Sequence, residues 1–353
     1  MTFEEARALF PVLDRVAYLN AGTFGPLAAS TARAMAAAAE RDLAEGRSGL
    51  EYFEHVLALR ARVREALARL VGAPPEQLAL TTSTTDGCNL VVAGLGLSSG
   101  DEVVTTTDEH PGLLLPLGVS QARVVVVPPD PDAILAAVTP RTRLIALSQV
   151  LWTTGQVLPV AELRTASGVP VLVDGAQSVG AIPVDASGVD FLTISGQKWL
   201  CGPDSTGAVV VADPERLGVA WPSYFSQVAT EPDGAFAPHP DARRFEGGWW
   251  APSVAAGLLD ALAVRPPWWH ERASATAERC RALLGARHEV VLPAERSTLV
   301  AFRPSGEAPA DVVARLHRRD VHVREIPGTG LVRVSCGWWT SDDDLDRLVA
   351  ELG

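Results

Sequence analysis

The chain has a single lysine among its 30 Lys and Arg residues, Lys198, in the segment SGQKWLCGP. A guanidinium serves any surface position that needs positive charge, but it stays protonated, whereas a buried ammonium can lose its proton and become a free amine. A lone lysine in an arginine-rich chain thus marks either a place where an amine is needed or an ordinary surface residue left by chance. Asp174 closes the apolar run VPVLVD upstream of it. Taken alone, Asp174 is a turn or helix-capping acid.

Taken with Lys198 it becomes half of a chemical pair. Pyridoxal 5'-phosphate needs an amine to bond its aldehyde and a carboxylate to keep its ring nitrogen protonated. A phosphate needs a cradle, and helix N-termini supply one through free N–H groups and a favourable dipole. In ALTTSTTDGCNLVVAGL a short strand leads into Thr84 and Thr85 and then an apolar helical run, although hydroxyl residues also cap helices for ordinary reasons. His110, in DEHPG, is either a loop residue or an imidazole able to stack on an aromatic ring. Arg324 and Arg333 lie on two short apolar runs, VHVRE and LVRVS. A hairpin brings such a pair to one carboxylate, which an arginine fork matches; otherwise they are two surface charges.

These residues need a frame. Between about residues 78 and 211 short β-branched runs alternate with helical or loop segments, the pattern of a sheet flanked by helices. Strands are expected at 78–81, 102–106, 123–127, 143–148, 169–174, 190–194 and 207–211. Several are apolar on both faces, as in strands covered on both sides. Asp174 ends one strand and Lys198 follows the next, and ligands of open α/β sheets gather at the carboxyl ends of strands. Two helices precede the sheet. The Pro-, Gly- and Asp-rich stretch 230–252 is expected to cross between domains, before two helices, a strand, a helix, a strand pair and a closing helix from Ser341. We therefore expect a large α/β domain over 15–245, and a smaller α+β domain of residues 1–14 and 246–353 that completes the substrate site.

The length of 353 residues suits about two domains. A net charge of −12 without a basic cluster argues against nucleic acid and for small ligands. No apolar run is long enough to span a membrane, and the acidic, amphipathic start MTFEEARALF lacks the features of a secretory leader, so a cytoplasmic protein is expected. Cys88, Cys201, Cys280 and Cys336 are far apart, without metal-ligand spacing, and are expected to be buried rather than bridged.

In order along the chain, DEHPG, LSQVLWTTGQVLPVAEL, LVDGAQSVGAIPVD, SGQKWLCGPDSTGA and VREIPGTGLVRVSCGWWTSDDDLDRLVAEL resemble the class V, fold-type I pyridoxal-phosphate enzymes. Within that group the chain is most similar to the L-cysteine/cystine C–S lyases, from YLNAGTFGP onward. The resemblance implies a homodimer with Lys198 bonded to the cofactor aldehyde, Asp174 on the pyridinium, His110 stacked on the ring and Gln177 on the phenolic oxygen. It implies phosphate contacts from Thr84, Thr85 and Ser195, a substrate-carboxylate role for Arg333 with Arg324 beside it, and a substrate-side place for Trp152.

Three departures accompany it. Gln197 stands where the family usually has His before the lysine, keeping a hydrogen-bond donor for the phosphate but changing its reach and charge. Trp249 and Trp250 stand where relatives have Thr or Ser; they either wall the substrate entrance or pack between domains. REIPGTG lacks the cysteine that desulfurases use to accept sulfur. The implied reaction is elimination of sulfur from Cβ of cysteine, cystine or a related S-conjugate, giving pyruvate, ammonia and a sulfide or persulfide. The alternatives are a hercynylcysteine sulfoxide lyase or a class V aminotransferase.

Overall fold

The computed structural model describes residues 1–353. All seven expected strands form, in one sheet: β1 (Leu78–Thr81), β2 (Glu102–Thr106), β3 (Arg123–Val127), β4 (Thr142–Ser148), β5 (Val171–Asp174), β6 (Phe191–Ser195) and β7 (Gly207–Val211). Their spatial order is β1-β7-β6-β5-β4-β2-β3. β7 runs against both neighbours, and the other pairs are parallel. This is the fold-type I α/β architecture, with a mostly parallel sheet.

Alternation along the strands fills two cores. Leu80, Ile145, Val173, Ile194 and Val210 enter one, with Val63 and Leu67 of the helix Gly49–Leu70. Ala79, Leu144, Leu172 and Val209 enter the other, with Cys88 and Val91 of the helix Thr84–Gly94. The edge strand β3 alone is partly exposed along its length.

The second unit is an antiparallel sheet in the spatial order Glu289–Val290, Leu299–Arg303, Leu331–Ser335, Arg324–Ile326. It packs with the helices Trp269–Gly285, Pro309–His317 and Asp342–Leu352 around Val300, Phe302, Val332 and Val334. Ser341 and Asp344 start the last helix with reciprocal side-chain to backbone bonds.

The packing draws the units differently from the expected boundaries. Trp250, Ala255 and Leu258 are buried in the first core of the large sheet, so the helix Pro252–Ala263 belongs with that sheet. The stretch 230–252 does not cross over there: it leaves the large unit as a hairpin of Gln227–Thr230 and Phe236–Pro238 and returns to it. Glu246 fixes the return, accepting from Arg60, from Arg64 and from the backbone N–H of Leu80 while only 2 % exposed. Conversely, Ala17 and Leu19 are buried in the core of the smaller sheet, and Ala17–Tyr18 pairs in parallel with Val321–His322. No helix is long and apolar enough to cross a membrane.

Candidate active site

Loops following the carboxyl ends of β1, β2, β4, β5 and β6 meet the strand pair of the small sheet around a cavity of about 280 Å³. Thr84, Thr85, His110, Trp152, Gln177, Ser195, Gln197, Lys198, Arg324 and Arg333 all line it. Asp174 lies at the end of β5, 2 % exposed, between Ser148 of β4 and Thr193 of β6. Its Oδ1 accepts from the N–H of Ala176 at 2.9 Å, which fixes the carboxylate.

Lys198 sits in a tight turn after β6. The turn closes through Gly196 N–H to Thr206 O at 2.8 Å and Cys201 N–H to Lys198 O at 3.0 Å, with Cys201 in the left-handed region at φ 55°. Burial pushes the ammonium of Lys198 down to about 8; Arg333 lowers it further and Asp174 opposes both. The result is an amine within reach of neutrality near physiological pH, as a base or nucleophile requires.

His110 caps the helix Pro111–Val119, its Nδ1 accepting from Gly112 N–H at 3.0 Å. That bond puts the ring proton on Nε2. Burial lowers its pKa, and the cations Lys198, Arg333 and Arg324 add to this against Asp174, so the neutral imidazole is favoured. Its ring meets Trp152 edge-on, with centroids 5.2 Å apart.

Gln177 donates from Nε2 to Gly22 O at 2.8 Å and accepts at Oε1 from Trp199 Nε1 at 2.9 Å, which leaves one amide hydrogen for a ligand oxygen. Ser195 donates to Gln197 Oε1 at 3.0 Å. Thr84 and Thr85 open the helix Thr84–Gly94, whose cap Ser83 accepts from Asp86 N–H at 3.1 Å. The first N–H groups of a helix lack intrahelical acceptors, so helix end and hydroxyls together form an anion cradle. This donor set, with a depressed amine and a buried carboxylate, fits pyridoxal phosphate.

Arg324 and Arg333 are direct partners across the antiparallel pair. Arg333 is 2 % exposed and donates from Nη1 to Trp152 O at 2.8 Å, while its Nε has no partner. Burial, then Arg324, pushes it down to about 9, still a cation at neutral pH.

Trp249 is the exception among the expected residues. It is not in the cavity of its own chain: it stacks on Tyr52 at 6.5 Å and packs against Phe225 on a shallow surface elsewhere, 49 % exposed. Trp250 is core. Sequence reasoning also missed Gly22, Thr23, Phe24 and Ser83, which line the cavity. The loop enters so closely that a Cβ on Gly25 would lie 2.1 Å from Lys198 O, and one on Gly22 2.7 Å from Arg333 Nη2. Two glycines spaced around Thr-Phe after a short strand were the available signal.

Comparison with known proteins places the chain in a family. The chain is 31% identical to isopenicillin N epimerase of Streptomyces clavuligerus over 99% of this chain and 97% of that protein. It is 29% identical to the cysteine desulfurase CsdA of Escherichia coli (strain K12), over 97% and 95%. The structure of the cystine C–S lyase C-DES in complex with its reaction product cysteine persulfide superposes with a TM-score of 0.90, at 27% identity over 97% of this chain and 98% of that one. The class V aminotransferase profile matches residues 30–348, and the chain therefore belongs to the class V aminotransferases, a pyridoxal-phosphate-dependent enzyme family.

Proposed function

We propose that this chain is a pyridoxal-phosphate-dependent carbon–sulfur lyase acting on L-cysteine, L-cystine or a related cysteine S-conjugate, with pyruvate, ammonia and a sulfide or persulfide as products. The observation that carries the reading is the placement of the thiols. Cys88, Cys201, Cys280 and Cys336 are all buried, and the cavity is lined instead by the amine, an imidazole, two guanidiniums, amides and hydroxyls. Sulfur released there meets no protein thiol to accept it, which favours elimination over transfer.

When bound, the cofactor supplies an electron sink for charge developing at the substrate Cα. Thr84, Thr85, Ser195 and Gln197 would hold its phosphate, Asp174 its ring nitrogen, Gln177 its phenolic oxygen and His110 its ring face. Arg333, already oriented by Trp152 O, takes the substrate carboxylate with Arg324 beside it. The amine of Lys198, brought toward neutrality by burial, would take the Cα proton at Nζ and keep it for return or release. Cystine or another disulfide is favoured over free cysteine because a persulfide is a weaker base than hydrosulfide and leaves more readily.

The exposed aromatic surface of Trp221, Tyr224 and Trp249 supports a homodimer, and four unpaired thiols suit a reducing compartment such as the cytoplasm. A second reading, epimerisation of an amino acid, is favoured by the 31% identical epimerase; it uses the same proton abstraction without loss of sulfur. A panel of cystine, cysteine S-conjugates, sulfoxides and a non-eliminating amino acid in deuterium oxide separates the readings. Pyruvate without added keto acid supports the lyase. Cα deuteration with inversion and no pyruvate supports the epimerase, alanine a desulfurase, and dependence on a keto acid an aminotransferase.

A further inference from the structure

Glu109 is the one buried acid near the cavity to which the reaction assigns no part. It is 4 % exposed and immediately precedes His110. Its Oε1 accepts from Thr106 Oγ at 2.8 Å, and its Oε2 accepts from Ser148 N–H at 2.9 Å and Ser148 Oγ at 2.6 Å. Thr106 ends β2 and Ser148 ends β4, neighbours in the sheet. The ladder between these strands stops at Val104 and Ile145, so the Glu109 carboxylate bridges the strand ends beyond the last paired residues. Ser148 is in turn the cross-strand partner of Asp174.

We propose that Glu109 is a positioning residue: its carboxylate clamps the His110 loop to β4 beside Asp174, and its negative charge favours the protonated form of the cofactor on Lys198. Three donors converge on it, the arrangement of an ionised carboxylate. None of them is a cation, and the other titratable groups near it include Asp174 on β5, Cys88 on the helix Thr84–Gly94, and Asp108 and His110 on its own loop. Burial pushes Glu109 up to about 7, with Asp174 adding to the rise and the three donors opposing it. No cation bonds Glu109 directly, so its charge is not cancelled at the carboxylate and adds to that of Asp174 in favouring a proton on the cofactor, against the guanidiniums of Arg324 and Arg333 that line the cavity. The inference rests on the cofactor and not on the choice between lyase and epimerase.

The test is the Glu109→Gln holoprotein, read without substrate by its visible absorption between pH 5 and 10. Glutamine keeps an oxygen facing Ser148, and its amide turns toward Thr106, whose hydroxyl reverses; the clamp survives and the charge is lost. The midpoint of the absorption titration is expected to fall by about one pH unit. Thr106→Val removes one donor, weakens ionisation of Glu109 and moves the midpoint the same way by less. Thermal unfolding of each cofactor-free variant checks that the chain folds. A Glu109→Gln midpoint equal to that of the parent overturns the proposal. Should that variant fail to fold, Thr106→Val decides: a downward shift supports the proposal and an unchanged midpoint refutes it.

Discussion

The single lysine makes its own proton directly measurable. Protein prepared with lysine labelled at 13Cε and stripped of cofactor gives one lysine resonance, that of Lys198. Its titration midpoint is expected at about 8 rather than 10.5. The difference of about 2.5 units is on the order of 3 kcal/mol, and at pH 7 it leaves roughly one amine in ten neutral, against about one in three thousand for an ordinary lysine. The causes carry signs that substitutions can reverse. Arg333→Met removes a cation and should raise the midpoint, whereas Asp174→Asn removes an anion and should lower it. The same shift enters stability. The folded pKa is depressed, so between about 8 and 10.5 the unfolded chain binds more protons and stability rises with pH. Below 8 the full cost of burying the charged amine is present, so Lys198→Met should stabilise the cofactor-free chain by about 3 kcal/mol at pH 7 and by little at pH 11. A midpoint above 10, or shifts of the same sign in both variants, would refute the account of this site as a desolvated amine between opposed charges.

Arg333→Met should lower kcat/KM for amino-acid substrates about a hundredfold, mostly through KM, since it removes a charged carboxylate partner; pyruvate release against substrate concentration measures it. Glu246→Ala should destabilise the fold by about 3 to 5 kcal/mol in urea unfolding, because Arg60 and Arg64 lose their shared buried partner. Gly25→Ala places a Cβ 2.1 Å from Lys198 O, where backbone must move. It should reduce stability by about 1 to 3 kcal/mol and weaken cofactor retention, as read by absorption after dialysis; unchanged retention would contradict the loop placement.

The large sheet was legible because its strands are short, β-branched and apolar on both faces, so each appears as a bounded run; all seven lie within two residues of where the sequence places them. Asp174 and Lys198 could be paired because strand ends converge. The strand order, the antiparallel course of β7 and the return of the 246–263 segment to the first core depend on long-range packing that no local pattern announces. The cavity residues Gly22, Thr23 and Phe24 were hidden for the same reason: their loop is held at Gly22 by Ser335 and Gln177 and at Gly25 by Gln197, far along the chain. Glu109 lies inside the DEHPG motif, but nothing local marks it, since only the gap between two strand ends gives it partners. The choice between the two readings of Trp249 was not legible, because a substitution in a familiar segment gives no sign of which way the ring turns.

The loop from Gly22 to Gly25 is fastened at both ends. Gly22 N–H donates to Ser335 Oγ at 3.0 Å, two positions beyond Arg333, and Gly25 N–H donates to Gln197 O at 2.8 Å, beside Lys198. On the roles proposed for Arg333 and Lys198, grip on a substrate acid group and reactivity of the amine are thereby geared together through four residues. Retuning one for a new substrate without reshaping that strap will detune the other.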